Sequence, residues 1–223
     1  TATKQPTMRR RIARRMAVNH TQTLAEYARR LEAAPAEVEA LYQDCLICVT
    51  AFFRGREAFQ ALRERVFPEL LKDRPPESPI RVWVAGCATG GEAYSLAICL
   101  LECAGELKTS PALQIFATDL SENALDVARA GKYLESIVQD VPAERLRRFF
   151  TKADGHYQVS KALREMCIFA RHDLGRDPAF SRMDLITCRN VLIYLEPHLQ
   201  ERVLDGFHYA LKPAGHLMLG ASE

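Results

Sequence analysis

The sequence predicts an α/β fold: a parallel, doubly wound sheet preceded by an all-helical segment and interrupted by a small β insertion. Three observations carry this. The run Val82-Trp83-Val84-Ala85 is apolar and partly β-branched, breaks at Gly86, and leads through Gly90-Gly91 into a helix-spaced stretch. That is the pattern of a buried strand, a tight turn and a helix start. Beyond residue 80, strand-like and helix-like segments alternate, as a parallel sheet with crossover helices requires. With 223 residues, 48% of them hydrophobic, the chain can bury a substantial core in one large domain or two modest ones.

The elements follow in order. Residues 7–70 read as helices. Met8, Ile12 and Met16 form one apolar stripe among arginines. Thr23-Leu24-Ala25-Glu26 is a capping box opening a second helix, with Leu24, Tyr27, Ala28 and Leu31 inward. Pro35 suits the first position of a third, Glu37 and Glu39 favour its N-terminus, and Val38, Leu41, Tyr42 and Cys45 give it an inner face. A fourth carries Phe59, Leu62 and Val66. The polar, proline-rich stretch 73–79 reads as a linker, which sets expected domains at 1–72 and 80–223. Strands are expected over 81–85, 114–118, 168–171, 184–187 and 216–219, with helices over 92–101, 122–130 and 199–211. Residues 132–167 break the rhythm, and Asp154-Gly155 reads as a hairpin turn, so this segment is taken as a small β insertion.

Net charge is only +2, but residues 1–30 carry eight basic side chains against the single acid Glu26. A basic head on a mildly acidic body calls for an anionic partner. The seven cysteines are scattered through apolar segments, and Cys45-x-x-Cys48 has no second pair or nearby His, so no metal site is expected. No apolar run approaches the roughly 20 residues of a membrane span, and no secretory leader is visible. These features predict a cytoplasmic protein without membrane insertion, monomeric as an isolated domain. Starting at Thr1 and stopping at Glu223 just after a strand, the chain reads as a piece of something longer.

Ligands of doubly wound sheets sit at the carboxyl ends of the strands. The candidates there are 86–91 after the first strand, Asp119 after the second, Asp173 after the third, and Arg189-Asn190 after the fourth. The turn departs from the dinucleotide fingerprint: Ala88 stands where its middle glycine belongs, and the next strand-end acid, Asp119, lies 33 residues after Gly86. An acid at the end of the second strand can accept from both hydroxyls of a ribose. Plainer readings stand beside these: Asp119 as a helix cap in competition with Ser121, Asp173 as a loop acid, Asn190 as a cap for Val191.

Several blocks then carry a resemblance. Thr50-Ala51-Phe52-Phe53-Arg54 with the preceding Leu46–Val49, the run from Ala85 through Glu92 to Ser95, Ala117-Thr118-Asp119, Cys188-Arg189-Asn190-Val191-Leu192-Ile193-Tyr194, Lys212-Pro213-Ala214-Gly215 and Gly220-Ala221-Ser222-Glu223 resemble the CheR-type chemoreceptor methyltransferases. The resemblance covers nearly the whole chain, and includes the form fused to methylesterase and sensor modules. It implies a Rossmann-like S-adenosylmethionine-dependent methyltransferase sheet, a helical receptor-docking domain and a small β insertion. It implies methyl-ester formation on glutamates of chemoreceptor cytoplasmic helices, with S-adenosylhomocysteine as product. Carried over by position, cofactor contacts fall on Thr50, Arg54, Gly86, Glu92, Asp119, Asp173, Leu174, Asn190 and Val191. Cys48 stands where many relatives have Asn, and Gly91 replaces a commonly acidic residue. The family's sheet normally continues past Glu223 as an antiparallel hairpin.

The chemistry is undemanding once the parts are placed. A glutamate carboxylate, with an ordinary pKa of about 4.3, is already anionic at neutral pH, so no general base is needed. Arg54 is the expected charged helper, clamping the carboxylate of the cofactor or of the acceptor. Tyr194, four residues after Asn190, shares its helical face if that segment is helical, and reads either as a wall of the transfer site or as a core tyrosine. Phe52 and Phe53 read as core. Arg10, Arg11, Arg14 and Arg15 would steer acidic receptor helices. Two rival readings are a nucleic-acid methyltransferase, disfavoured because no aromatics interleave the arginines, and a cofactor-binding sensory module without turnover.

Overall fold

The computed structural model describes residues 5–45, 50–75 and 77–223. Three helices open the chain: α1 (Gln5–Val18), α2 (Leu24–Ala33) and α3 (Pro35–Cys45). The capping box forms in full, with the Glu26 N–H donating to Thr23 Oγ1 and the Thr23 N–H to the Glu26 carboxylate. The expected apolar faces turn inward only in part: Tyr27 is buried as expected and Leu31, Leu41 and Tyr42 are half-buried, but other members face out. Leu24 and Val38 are 65% and 48% exposed, and Ala28 is exposed too. Among the described residues of these helices, it is Tyr27 and Glu37 that are buried. Arg15 reaches across from α1 and makes a two-pronged bond to Glu37, Nε to Oε1 at 2.9 Å and Nη2 to Oε2 at 2.5 Å, while the Tyr27 hydroxyl donates to Oε1 at 2.8 Å. Short helices with few apolar residues have little to bury, and a polar knot takes the centre instead.

Next come α4 (Arg56–Ala61), a π-helical turn over Leu62–Val66, and α5 (Phe67–Leu71). Their apolar residues Phe59, Leu62, Phe67, Leu70 and Leu71 belong to the sheet's core. Packing thus ties residues 56–71 to the sheet's core. The stretch expected as a linker is anchored through Arg74. Arg74 bonds both oxygens of Asp184 (3.0 and 2.9 Å) and the carbonyls of Ser78 and Pro79. Its polar composition registers only that it has nothing apolar to bury. Pro76 lies outside the described residues.

The sheet begins with β1 (Ile80–Ala85), followed by α6 (Gly91–Glu106), β2 (Leu113–Asp119) and α7 (Glu122–Ala130). The insertion holds β3 (Lys132–Leu134), α8 (Ala143–Phe149), β4 (Phe150–Ala153), β5 (His156–Val159) and α9 (Lys161–Met166), with its strands antiparallel in the order β3-β5-β4. Asp154 (φ 45°) and Gly155 (φ 75°) make the expected tight hairpin turn. Then follow β6 (Cys167–Arg171), β7 (Met183–Cys188), α10 (Pro197–Ala210) and β8 (Leu211–Leu219).

The five long strands are parallel in the order β6-β2-β1-β7-β8. All five expected strands are present. The last starts earlier than expected, because Leu211 pairs with Met183 before a register shift puts His216 opposite Leu185. An irregular edge tolerates Pro213, which has no N–H to give the ladder. Alternation within β1 shows both faces covered: Val82 and Val84 join the core built on α6, while Trp83 and Ala85 join the one containing Val203 and Phe207 of α10.

Candidate functional site

The register brings the strand ends to one level. Ala85 lies beside Thr118 on one side and Cys188 on the other, and Asp119 beside Arg171. The sheet order reverses direction at β1 and β7, so the crevice opens above Gly86, where open α/β sheets take their ligands. Gly86 has φ 76°, and a Cβ there would overlap Cγ2 of Val191. Only glycine lets the backbone pass so close beneath the segment after β7. Ala88 is held in left-handed geometry, φ 47°, and its N–H donates to Asp119 Oδ2 at 2.8 Å. Asp119 Oδ1 accepts from the Ser121 N–H at 2.9 Å. Ser121, not Asp119, caps α7. Each Asp119 oxygen has a second lone pair.

Glu92 sits in the first turn of α6, whose N-terminus at Gly90 has no side-chain cap. Its carboxylate pairs with Arg189 Nη1 at 3.1 Å, and the two side chains are 15% and 9% exposed. Burial pushes the Glu92 carboxyl up, against the pull of Arg189 and, more weakly, of Arg54. The sequence marks Arg189 by its place at a strand end; nothing in it shows that Arg189 meets a glutamate 97 positions away. Arg189 also lies 5.9 Å from the Phe59 ring.

The segment carrying Thr50 and Arg54 runs beside α6. Thr50 is half-buried and Arg54 exposed, while Phe52 and Phe53 are core, as expected. Phe53 has φ 50°, a strained value for an aromatic residue. Its N–H donates to Ser95 Oγ at 2.9 Å, and that hydroxyl donates to the Gly91 carbonyl at 2.6 Å. The absent side chain of Gly91 leaves room for the Ala51 backbone. Cys48 lies outside the described residues.

Asp173 follows β6 and closes its own turn, accepting from the Gly175 N–H at 2.9 Å, and Leu174 packs against the core on the α10 face. Asn190 is left-handed at φ 59° and caps no helix. Between it and α10 only Leu192–Tyr194 is helical, as a single 3₁₀ turn. The four-residue spacing therefore does not stack Tyr194 on Asn190; Tyr194 is half-buried at the end of that turn. Sequence reasoning also missed Glu223, whose Oε1 accepts from the Val191 N–H at 2.6 Å. Of the four arginines expected to dock a partner, Arg10 and Arg14 are exposed and Arg11 half-buried. Arg15 is turned to the acids of α3, a structural role: Nε and Nη2 bond Glu37 and Nη1 faces Asp44 at 3.9 Å.

A glycine turn under the segment after β7, an acid at the end of β2 and a half-buried carboxylate at the head of α6 define a nucleoside-cofactor-binding α/β domain. Two family profiles match along the chain: "CheR methyltransferase, all-alpha domain" over residues 1–46 and "CheR methyltransferase, SAM binding domain" over residues 48–223. The chain belongs to the CheR methyltransferase family. It is 44% identical over 220 residues to an uncharacterised 104.1 kDa protein of Rhodobacter capsulatus, 34% over 228 residues to chemotaxis protein methyltransferase 1 of Pseudomonas aeruginosa, and 37% over 224 residues to the putative methyltransferase Cher3 of Pseudomonas putida. These alignments take in 97–99% of this chain, but 23% of the Rhodobacter protein against 82% and 79% of the Pseudomonas ones. Among the described residues no helix is long and apolar enough to cross a membrane.

The residues fit adenosylmethionine. Gly86 allows close approach, the spare lone pairs of Asp119 suit two ribose hydroxyls, and Glu92 suits an ammonium group. The Val191 N–H is already taken by Glu223.

Proposed function

We propose that this chain is a protein-glutamate O-methyltransferase that esterifies glutamates on the cytoplasmic helices of chemoreceptors, working in the cytoplasm with S-adenosylmethionine. The observation that carries the reading is the convergence of Asp119, the Glu92–Arg189 pair and the Gly86 turn at adjoining strand ends. Asp119 would hold the ribose and Glu92 the ammonium of the amino-acid head. Asp173, Leu174, Asn190 and Val191 would line the base, with Thr50 and Arg54 bordering the methyl-donor end. When bound, adenosylmethionine supplies a methyl group on a positively charged sulfonium, already activated for displacement.

What remains for the protein is alignment. Arg54, exposed beside the half-buried Glu92–Arg189 pair, is suited to draw in the acceptor carboxylate and point one oxygen at the methyl carbon. Tyr194 would wall the same space against water. Orientation of this kind can lower a barrier by roughly 7–11 kcal/mol. The acceptor is ionised at neutral pH, so no proton has to be moved. Arg10, Arg11 and Arg14 on α1 would steer the acidic receptor helices toward the site.

The test is calorimetric titration with S-adenosylmethionine and S-adenosylhomocysteine, followed by tritiated-methyl transfer to a receptor cytoplasmic fragment. Binding with base-labile label on the receptor supports the reading. Binding without label favours a sensory role, and salt-sensitive oligonucleotide binding with label on nucleic acid favours the rival substrate class. Absence of cofactor binding would overturn the assignment.

A further inference from the structure

The insertion is packed onto the functional site through contacts that chain together. The guanidinium carbon of Arg145 of α8 lies over the Phe53 ring, 4.2 Å from its centre. The same guanidinium bonds both oxygens of Glu102 on α6, at 2.9 and 2.7 Å, which holds it in place. Phe53 meets Phe59 edge-on at 5.7 Å, and Arg189, the partner of Glu92, stands over the far ring. A second brace runs through Tyr133 of β3. Its ring meets Phe52 edge-on at 4.9 Å, and its hydroxyl donates to the Thr89 carbonyl, inside the glycine turn, at 2.6 Å. Phe150 of β4 closes on Phe52 from the insertion as well, at 5.5 Å.

The segment 50–54 needs such support. Phe53 sits at φ 50°, and a strained residue persists only where its surroundings over-determine it. From α6 the support is the Ser95 hydroxyl on the Phe53 N–H. The ring contacts that hold Phe52 and Phe53 come from the insertion and α4. We infer that Arg145 and Tyr133 are positioning residues for methyl transfer: through them the insertion sets the backbone that carries Arg54 and the turn that carries Gly86 to Gly91. The catalytic readout of this role rests on the proposed function, but the bracing can be measured without it.

The experiment uses the whole chain with three substitutions. Arg145→Lys keeps a cation for Glu102 but removes the planar face from Phe53, since the two basic side chains are not interchangeable at a stacked site. Glu102→Gln removes the ion pair but keeps one amide oxygen to accept from Arg145, enough to hold the guanidinium over the ring. Tyr133→Phe removes only the bond to Thr89. Arg145→Lys is expected to speed hydrogen exchange of the Phe53 amide at least about tenfold. It should also lower kcat by about tenfold or more, toward the hundredfold a 1 Å misplacement can cost, with KM for the receptor fragment unchanged. Tyr133→Phe is expected to weaken S-adenosylhomocysteine binding about fivefold, the equivalent of one ordinary hydrogen bond. Glu102→Gln should lower the melting temperature while leaving the Phe53 amide and kcat near wild type. Unchanged Phe53 exchange in Arg145→Lys, or a Glu102→Gln variant that loses kcat as much as Arg145→Lys does, would overturn the positioning role. Failure of the wild-type chain to bind S-adenosylhomocysteine would sink the functional reading instead, with exchange still deciding the brace.

Discussion

Replacing Arg15 by Ala removes the cation bonded to Glu37 in two places and leaves a carboxylate that is 8% exposed. The cost follows from titration. The Arg15 bond, helped by the Tyr27 hydroxyl and opposed by burial, holds the Glu37 carboxyl at about 2, against an ordinary value of 4.5. A shift of that size is worth about 3 kcal/mol at neutral pH. Tyr27 keeps its bond in the variant, so the expected loss is about 2–3 kcal/mol, near the lower end for breaking a buried pair. The sign is fixed by the direction. A carboxyl held low in the folded state stabilises above its ordinary pKa of 4.5 and loses that contribution as pH falls toward 2. At pH 3 roughly half should remain. Urea titration followed by far-ultraviolet circular dichroism reads the helices, while fluorescence of Trp83, the one tryptophan, reads the sheet core. The variant should lose helical signal at lower urea with the Trp83 transition in place, and the gap from wild type should narrow at pH 3. Unchanged helix stability together with slowed receptor methylation would refute the argument and return Arg15 to the docking surface.

Asp119→Ala should abolish cofactor binding by calorimetry, since it removes the candidate ribose acceptor and frees the Ala88 N–H at once; Asp119→Asn, which keeps one acceptor, should retain weak binding. Gly86→Ala places a methyl group into Val191 at φ 76°, so both the melting temperature and cofactor affinity should fall, and wild-type affinity would show the turn to be remote from the ligand. Ser95→Ala strands the buried Phe53 N–H and should cost about 1–3 kcal/mol in urea unfolding. Reversing the charge of Arg10 and Arg14 should leave cofactor affinity and stability alone while slowing receptor methylation, more so at low salt. An equal loss of affinity would mean that α1 serves the fold.

Much of the framework was legible in the chain itself. The buried strands β1 and β7 and the hairpin at Asp154-Gly155 are local patterns, written in runs of apolar residues and in glycine or aspartate at turns. The capping box at Thr23 and Glu26 is equally local, needing only a spacing of three. The strand-end positions of Gly86, Asp119 and Asn190 follow from the same strands, because a parallel sheet gathers its carboxyl ends on one edge.

Other features depend on which face meets which. Helical spacing showed that α2 and α3 each have an apolar side, but not that Leu24 and Val38 would face out while Glu37 went in. That choice was made by Arg15, 22 positions away, whose two-pronged bond made a buried carboxylate cheaper than it looks alone. The pairing of Arg189 with Glu92, the laying of Arg145 over Phe53 and the anchoring of Arg74 on Asp184 are of the same kind. Strands, turns and caps arise from neighbours in the chain, whose geometry a dihedral preference or a short hydrogen bond decides. Charge pairs and ring contacts across 40 to 110 positions exist only once the sheet and insertion have closed around them.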